Sequence, residues 1–189
     1  MTSRGLTYEQ FEMGAVYPSQ ARTVTEADVA NFAGLSGDFN PLHTDAEFAK
    51  ATPMGERIAH GVLILAMATG MANWMGIFEG TTIALMEQVT RYKGAVKFGD
   101  TIRLEMEVIE KKPTSKPDKG VVKFAVRVKN QRGENVVEGE WTLLMKGLGD
   151  TGAWTGLKTV ISGLGTSMDV LAAAAGAGFA GGSSAQAGA

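Results

Sequence analysis

Apolar and polar positions alternate along the second half of the chain. Ile102, Leu104, Met106 and Val108 are interleaved with Arg103, Glu105 and Glu107, and Val122, Phe124, Val126 and Val128 with Lys123, Arg127 and Lys129. A period of two predicts strands with one face toward a core. Val137, Trp141, Leu143 and Met145 continue the pattern beyond the polar stretch Asn130-Gln131-Arg132-Gly133-Glu134-Asn135, which reads as a hairpin loop. Thr82 to Tyr92 is a further strand candidate, although Glu87-Gln88 interrupts its alternation.

Upstream the period lengthens. From Gly61 to about Ile77, positions Val62, Leu65, Ala66, Thr69, Gly70, Ala72 and Asn73 recur at near-helical spacing. Their small side chains suit a helix lying close against a sheet. Thr25-Glu26-Ala27-Asp28 is a capping-type start for a shorter helix through Phe32-Ala33, with Gly34 as its expected end. Several antiparallel strands with one long central helix predict an α+β domain whose sheet wraps one side of that helix.

Composition narrows the function classes. The chain has 189 residues, 44% of them hydrophobic, and a formal net charge of −2. That suits one globular domain with a real core and argues against a nucleic-acid partner. The one dense basic run, Lys111 to Lys119, carries two prolines and an aspartate and is read as a solvated loop. Without cysteine there is no disulfide, no thiolate metal ligand and no thiol nucleophile. Two histidines with no carboxylate cluster evident beside them give no reason to expect a catalytic metal. The first residues lack the apolar segment of a signal peptide, and no stretch is long and apolar enough to span a membrane, so a cytoplasmic location is expected. Residues 147–189 are rich in Gly and Ala and read as a flexible tail, with a weak helical rhythm at Leu157, Val160, Ile161, Leu164, Met168 and Leu171.

The candidate chemistry is concentrated. Ser36-Gly37-Asp38-Phe39-Asn40-Pro41-Leu42-His43 holds an acid, an amide and one of the two histidines; the other, His60, follows in Ile58-Ala59-His60-Gly61 at the start of the long helix. With reference pKa values of roughly 3.9 and 6.5, a carboxylate and an imidazole can hold one water between an acceptor and a donor/acceptor near neutral pH. Pro41 bends the chain between Asp38 and His43, which lets the two side chains converge. The same residues would equally serve an Asx turn with His43 as a cap. Ser36 and Thr44 are read as turn residues, and His60 as one that caps the helix or orients the loop.

Gly37-Asp38-Phe39-Asn40-Pro41-Leu42-His43-Thr44-Asp45, then Phe48-Ala49, Ile58-Ala59-His60-Gly61-Val62-Leu63 and Phe98-Gly99-Asp100, together resemble the hydratase 2 motif of MaoC-like (R)-specific enoyl-CoA hydratases. The resemblance covers roughly residues 8 to 146, taken as the domain. It implies a hot dog fold that pairs as a homodimer or higher oligomer, and reversible hydration of a trans-2-enoyl-CoA to the (R)-3-hydroxyacyl-CoA. By position it makes Asp38 and His43 the water-activating pair and Asn40 the residue orienting the site. It gives the Gly61 N–H to the thioester carbonyl, and places Thr69 where a close relative carries a serine near the pocket. No cofactor beyond the CoA of the substrate is implied. The alternatives are a dehydratase acting on acyl carrier protein thioesters, a hot dog thioesterase, and a catalytically silent acyl-CoA binding subunit.

Overall fold

The computed structural model describes residues 5–148. The expectations for the Gly/Ala-rich stretch fall outside these residues, apart from Gly147 and Leu148. The strands are β1 (Val16–Pro18), β2 (Arg22–Thr23), β3 (Thr82–Tyr92), β4 (Thr101–Pro113), β5 (Lys119–Lys129) and β6 (Asn135–Lys146), and the helices α1 (Glu26–Ser36), α2 (Pro41–Thr44), α3 (Ala46–Lys50) and α4 (Gly61–Trp74). The strands pair antiparallel in the order β1-β4-β5-β6-β3, with β2 also on β4. The sheet wraps α4 in the hot dog arrangement.

The alternation seen in the sequence is the alternation of the sheet. Ile102, Leu104, Met106, Val108, Val122, Phe124, Val126 and Val128 are buried, and they share one core with Ile64, Met67, Ala68 and Met71 of α4. On the opposite face, charged partners bridge neighbouring strands: Arg127 to Glu107 at 3.0 Å, Lys129 to Glu105 at 2.6 Å and Lys123 to Glu140 at 3.1 Å. Glu87-Gln88 breaks the alternation of β3 because the register with β6 shifts between Leu85 and Glu87. A bulge adds a residue on one strand and so resets which side chains face inward.

Several boundaries differ from the sequence reading. The basic run is not wholly a loop: β4 continues to Pro113, which pairs with Gly120, and β5 begins at Lys119. Helix α1 passes through Gly34 and ends at Ser36, capped by Gly37, which adopts φ 76° and donates its N–H to Ala33 O. One interior glycine costs a helix about 1 kcal/mol, which burial of Val29 and Ala33 offsets. The other end of α1 matches the expectation: Thr25 Oγ1 accepts the Asp28 N–H, and Asp28 returns a carboxylate oxygen to the Thr25 N–H. Helix α4 stops at Trp74 rather than Ile77, with Gly76 at φ 73° just beyond. Ordered contacts also reach past residues 8–146, since Leu6 N–H donates to Ile77 O and Gly147 N–H to Asp118 O.

Candidate active site

The site is assembled where the end of α1 meets the start of α4. Because Gly37 turns the chain left-handed, Asp38 leaves α1 at once, and its N–H donates to Ser36 Oγ. One Asp38 carboxylate oxygen, Oδ1, accepts the Asn40 N–H at 3.2 Å. Asn40 in turn caps α2, its Oδ1 accepting the Leu42 N–H at 3.0 Å, and Pro41 occupies the first helical position. Asp38 and Asn40 therefore do form the Asx-type turn, and α2 raises His43 beside it.

His43 and His60 both bond to backbone carbonyls, which identifies their protonated nitrogens. His43 Nδ1 lies 2.8 Å from Ile58 O, and His60 Nε2 lies 2.9 Å from Asp38 O. A carbonyl can only accept, so each of these nitrogens carries the hydrogen. The basic lone pair of neutral His43 is thereby left on Nε2. His60 is buried, its ring in contact with those of both His43 and Phe32. Its Nδ1 is buried without a hydrogen-bond partner. The segment before it is pinned on two sides: Ala59 N–H donates to Val96 O, and Ile58 bridges Lys97.

The structure corrects one premise of the sequence analysis. A carboxylate does join the two histidines: nitrogen and oxygen atoms of Asp38, His43 and His60 lie within 4.8 Å of one another, a grouping that could hold a metal ion.

His43 and Gly61 line the same cleft, of about 470 Å³, with Met54, Ile58, Val62, Tyr92, Lys93, Val96 and Val137 among its walls. As the first residue of α4, Gly61 presents its N–H outside the intrahelical ladder, at the positive end of the helix. The Tyr92 ring rests on it, so that a Cβ at Gly61 would lie 2.8 Å from Tyr92 Cε1. Thr69 is not brought to this cleft; it is exposed on α4, and its hydroxyl donates to Ala66 O at 2.7 Å. Tyr92 and Lys93 escaped the sequence reading, for a lone aromatic and a lone lysine at a strand end carry no local signal.

Asp100 of the Phe98-Gly99-Asp100 triplet serves the scaffold. It is buried and accepts hydrogen bonds from the Lys97 N–H at 2.8 Å and Gln131 Nε2 at 2.6 Å, with Arg132 at 3.5 Å. Burial pushes its carboxyl up, but the Gln131 and Lys97 donors and the Arg132 charge outweigh that and hold it below the ordinary range.

An antiparallel sheet wrapped on a central helix defines a protein of the hot dog class. The MaoC like domain profile matches residues 10–130, and the chain belongs to that family. It is 31% identical over 131 residues to the (R)-specific enoyl-CoA hydratase of Rhodospirillum rubrum, covering 69% of this chain and 86% of that one. Among solved structures it resembles a monoamine oxidase regulatory protein from Archaeoglobus fulgidus, at 38% identity and a TM-score of 0.71 over 78% of this chain and 99% of that one. It also resembles the R-hydratase PhaJ1 of Pseudomonas aeruginosa, at 36% identity and a TM-score of 0.65 over 76% and 86% of the two chains. Among the described residues no helix is long and apolar enough to cross a membrane.

Proposed function

We propose that this protein reversibly hydrates trans-2-enoyl-CoA to (R)-3-hydroxyacyl-CoA, using Asp38 and His43 to activate one water and the Gly61 N–H to hold the thioester carbonyl oxygen. The observation that carries the reading is the bond from His43 Nδ1 to Ile58 O, which leaves Nε2 as the basic nitrogen of a side chain that is grouped with the Asp38 carboxylate and lines the cleft of Gly61. In the forward direction His43 Nε2 takes a proton from the water while Asp38 orients it. The water oxygen bonds to C3, and the π electrons move through C2 onto the thioester oxygen. There the Gly61 N–H and the helix dipole meet the developing negative charge. Collapse of the enolate takes a proton back at C2, so the elements of water are added and no redox partner is needed.

Asn40 supports this chemistry indirectly, by fixing the turn between Asp38 and His43. Thr69 is exposed on α4, close in sequence to the site but outside the cleft, and Val62 and Trp74 are exposed apolar residues of the same helix. The exposed Leu85 and Met86 on the edge strand β3, with the exposed Val62 and Trp74 of α4, favour a homodimer that would cover apolar surface and pair the edge.

The test is to follow the enoyl thioester absorbance of crotonyl-CoA and longer trans-2-enoyl-CoAs, with a thiol assay in parallel. Loss of the conjugated double bond without release of free CoA, giving the (R)-alcohol, is the expected result. Release of free CoA would instead identify a thioesterase.

A further inference from the structure

We infer that Lys93 binds the phosphate-bearing arm on which the acyl thioester is carried, an inference that rests on the hydratase reading above. The cleft that contains His43 and Gly61 has no carboxylate among its lining residues, and Lys93 is its one permanently charged side chain. The three other described clefts each include glutamate: Glu87 and Glu110 in one, Glu26 in the second, Glu56 in the third. An anion therefore meets positive charge without a carboxylate in the Lys93 cleft, whereas each of the others sets its cations, Lys112 and Lys123, Arg57, or Lys50 and Arg57, beside a glutamate.

Three cations on neighbouring segments already have carboxylate partners, whereas Arg91, two residues before Lys93, has no ion pair among the described residues but lies outside the cleft lining. Lys50 pairs with Glu47, Arg57 with Glu26 and Lys97 with Glu56, each at 2.6 Å. Among the described residues no carboxylate lies within ion-pair distance of Lys93. Its backbone is nonetheless fixed: the Lys93 N–H donates to Val136 O at 2.9 Å, and the Gly94 N–H reaches the same oxygen at 3.3 Å. The stem thus leaves a held point at the cleft wall, while the ammonium keeps its full capacity for a partner. Acyl thioesters of both CoA and acyl carrier protein hang from a phosphorylated pantetheine, and lysine is a compact point charge suited to phosphate. Because the cleft walls are otherwise apolar, the acyl and pantetheine carbons can pack there while Lys93 meets the charge.

The experiment compares the full-length protein with Lys93→Gln and Lys93→Glu on three crotonyl thioesters: of CoA, of phosphopantetheine, and of N-acetylcysteamine, which has no phosphate. The expected result is a KM for crotonyl-CoA raised several-fold by Gln and about tenfold by Glu, as loss of a charge-assisted hydrogen bond implies, with kcat within twofold. The N-acetylcysteamine thioester should show no change. A KM effect kept on the phosphopantetheine thioester assigns Lys93 to the arm phosphate common to both carriers; an effect confined to crotonyl-CoA assigns it to the nucleotide phosphates. An unchanged KM for crotonyl-CoA, or an equal loss on the phosphate-free thioester, overturns the inference and leaves the hydratase reading standing. Titration calorimetry with CoA alone reads the same site without turnover. Weaker CoA binding by Lys93→Glu supports the inference even where no thioester is hydrated, a result that would sink the hydratase reading, and equal binding overturns it.

Discussion

His43 and His60 stack with ring centroids 3.8 Å apart and planes tilted by 33°. His60 is 2% exposed, so a buried imidazole forms the back wall of the proposed catalytic base. Each ring also donates one N–H to a carbonyl, His43 to Ile58 and His60 to Asp38. The pair thus ties the turn after α1 to the start of α4 through two hydrogen bonds and one ring contact.

His60 should therefore act as a positioning residue. His60→Leu removes the donor to Asp38 and is expected to lower kcat about tenfold or more with little change in KM, since misplaced catalytic groups cost rate rather than ground-state binding. His60→Gln, whose amide nitrogen can reach the same carbonyl, should recover most of kcat. Steady-state kinetics on both variants, with circular dichroism to confirm folding, checks this; equal damage from both would show that the imidazole itself is required.

Asp38→Ala and His43→Ala should each lower turnover by on the order of 10²-fold or more while the protein stays folded. If the two groups hold one water, the double variant is little worse than the worse single variant. Losses that multiply in the double variant would argue for two independent steps.

Gly61 has two reasons to lack a side chain, and they can be separated. A Cβ there would press on the Tyr92 ring, at 2.8 Å from Cε1 and 3.0 Å from Cδ1, and would also crowd the approach of a carbonyl oxygen to the N–H. Gly61→Val should lower the thermal midpoint and depress turnover by about 10² to 10³, the usual cost of one lost oxyanion donor. Adding Tyr92→Ala should restore the midpoint but not the rate. Recovery of both would mean that Gly61 serves packing alone.

Asp100 should make stability depend on acid. Its carboxyl is held lower in the folded protein than in the unfolded chain, so its contribution is present above the ordinary carboxylate range and is lost as pH falls through the folded value. Urea midpoints measured from pH 7 down to about pH 3 should therefore fall less steeply for Asp100→Asn, from a lower starting value. A parallel fall in both proteins would remove Asp100 from the acid response.

Removal of residues 149–189 should leave the thermal midpoint and the turnover of crotonyl-CoA unchanged. The domain is closed by Gly147, whose N–H donates to Asp118 O at 2.7 Å, and by Leu148, whose N–H donates to a Glu9 carboxylate oxygen at 3.0 Å. An insoluble or inactive truncation would show that the removed stretch covers domain surface.

What the sequence determined by itself is what repeats locally. Strand β5 and the first part of β4 were legible because one buried face forces a period of two, and β6 because part of that rhythm persists at Trp141, Leu143 and Met145. The start of α1 was legible because a capping box lies within four consecutive residues. The Asp38 to His43 motif was legible as a spacing. Strands β1 and β2 were not, since three and two residues are too few to show a period. Gly34 was misread as a stop because propensity yields to burial, and only the packed helix reveals which glycine turns left-handed. The stacking of His60 on His43 and the Tyr92 ring over Gly61 join segments distant in sequence. Their geometry follows from α4 packing against the sheet, and the physical reason is that side-chain contacts between separate elements exist only once the core has closed and fixed their distance.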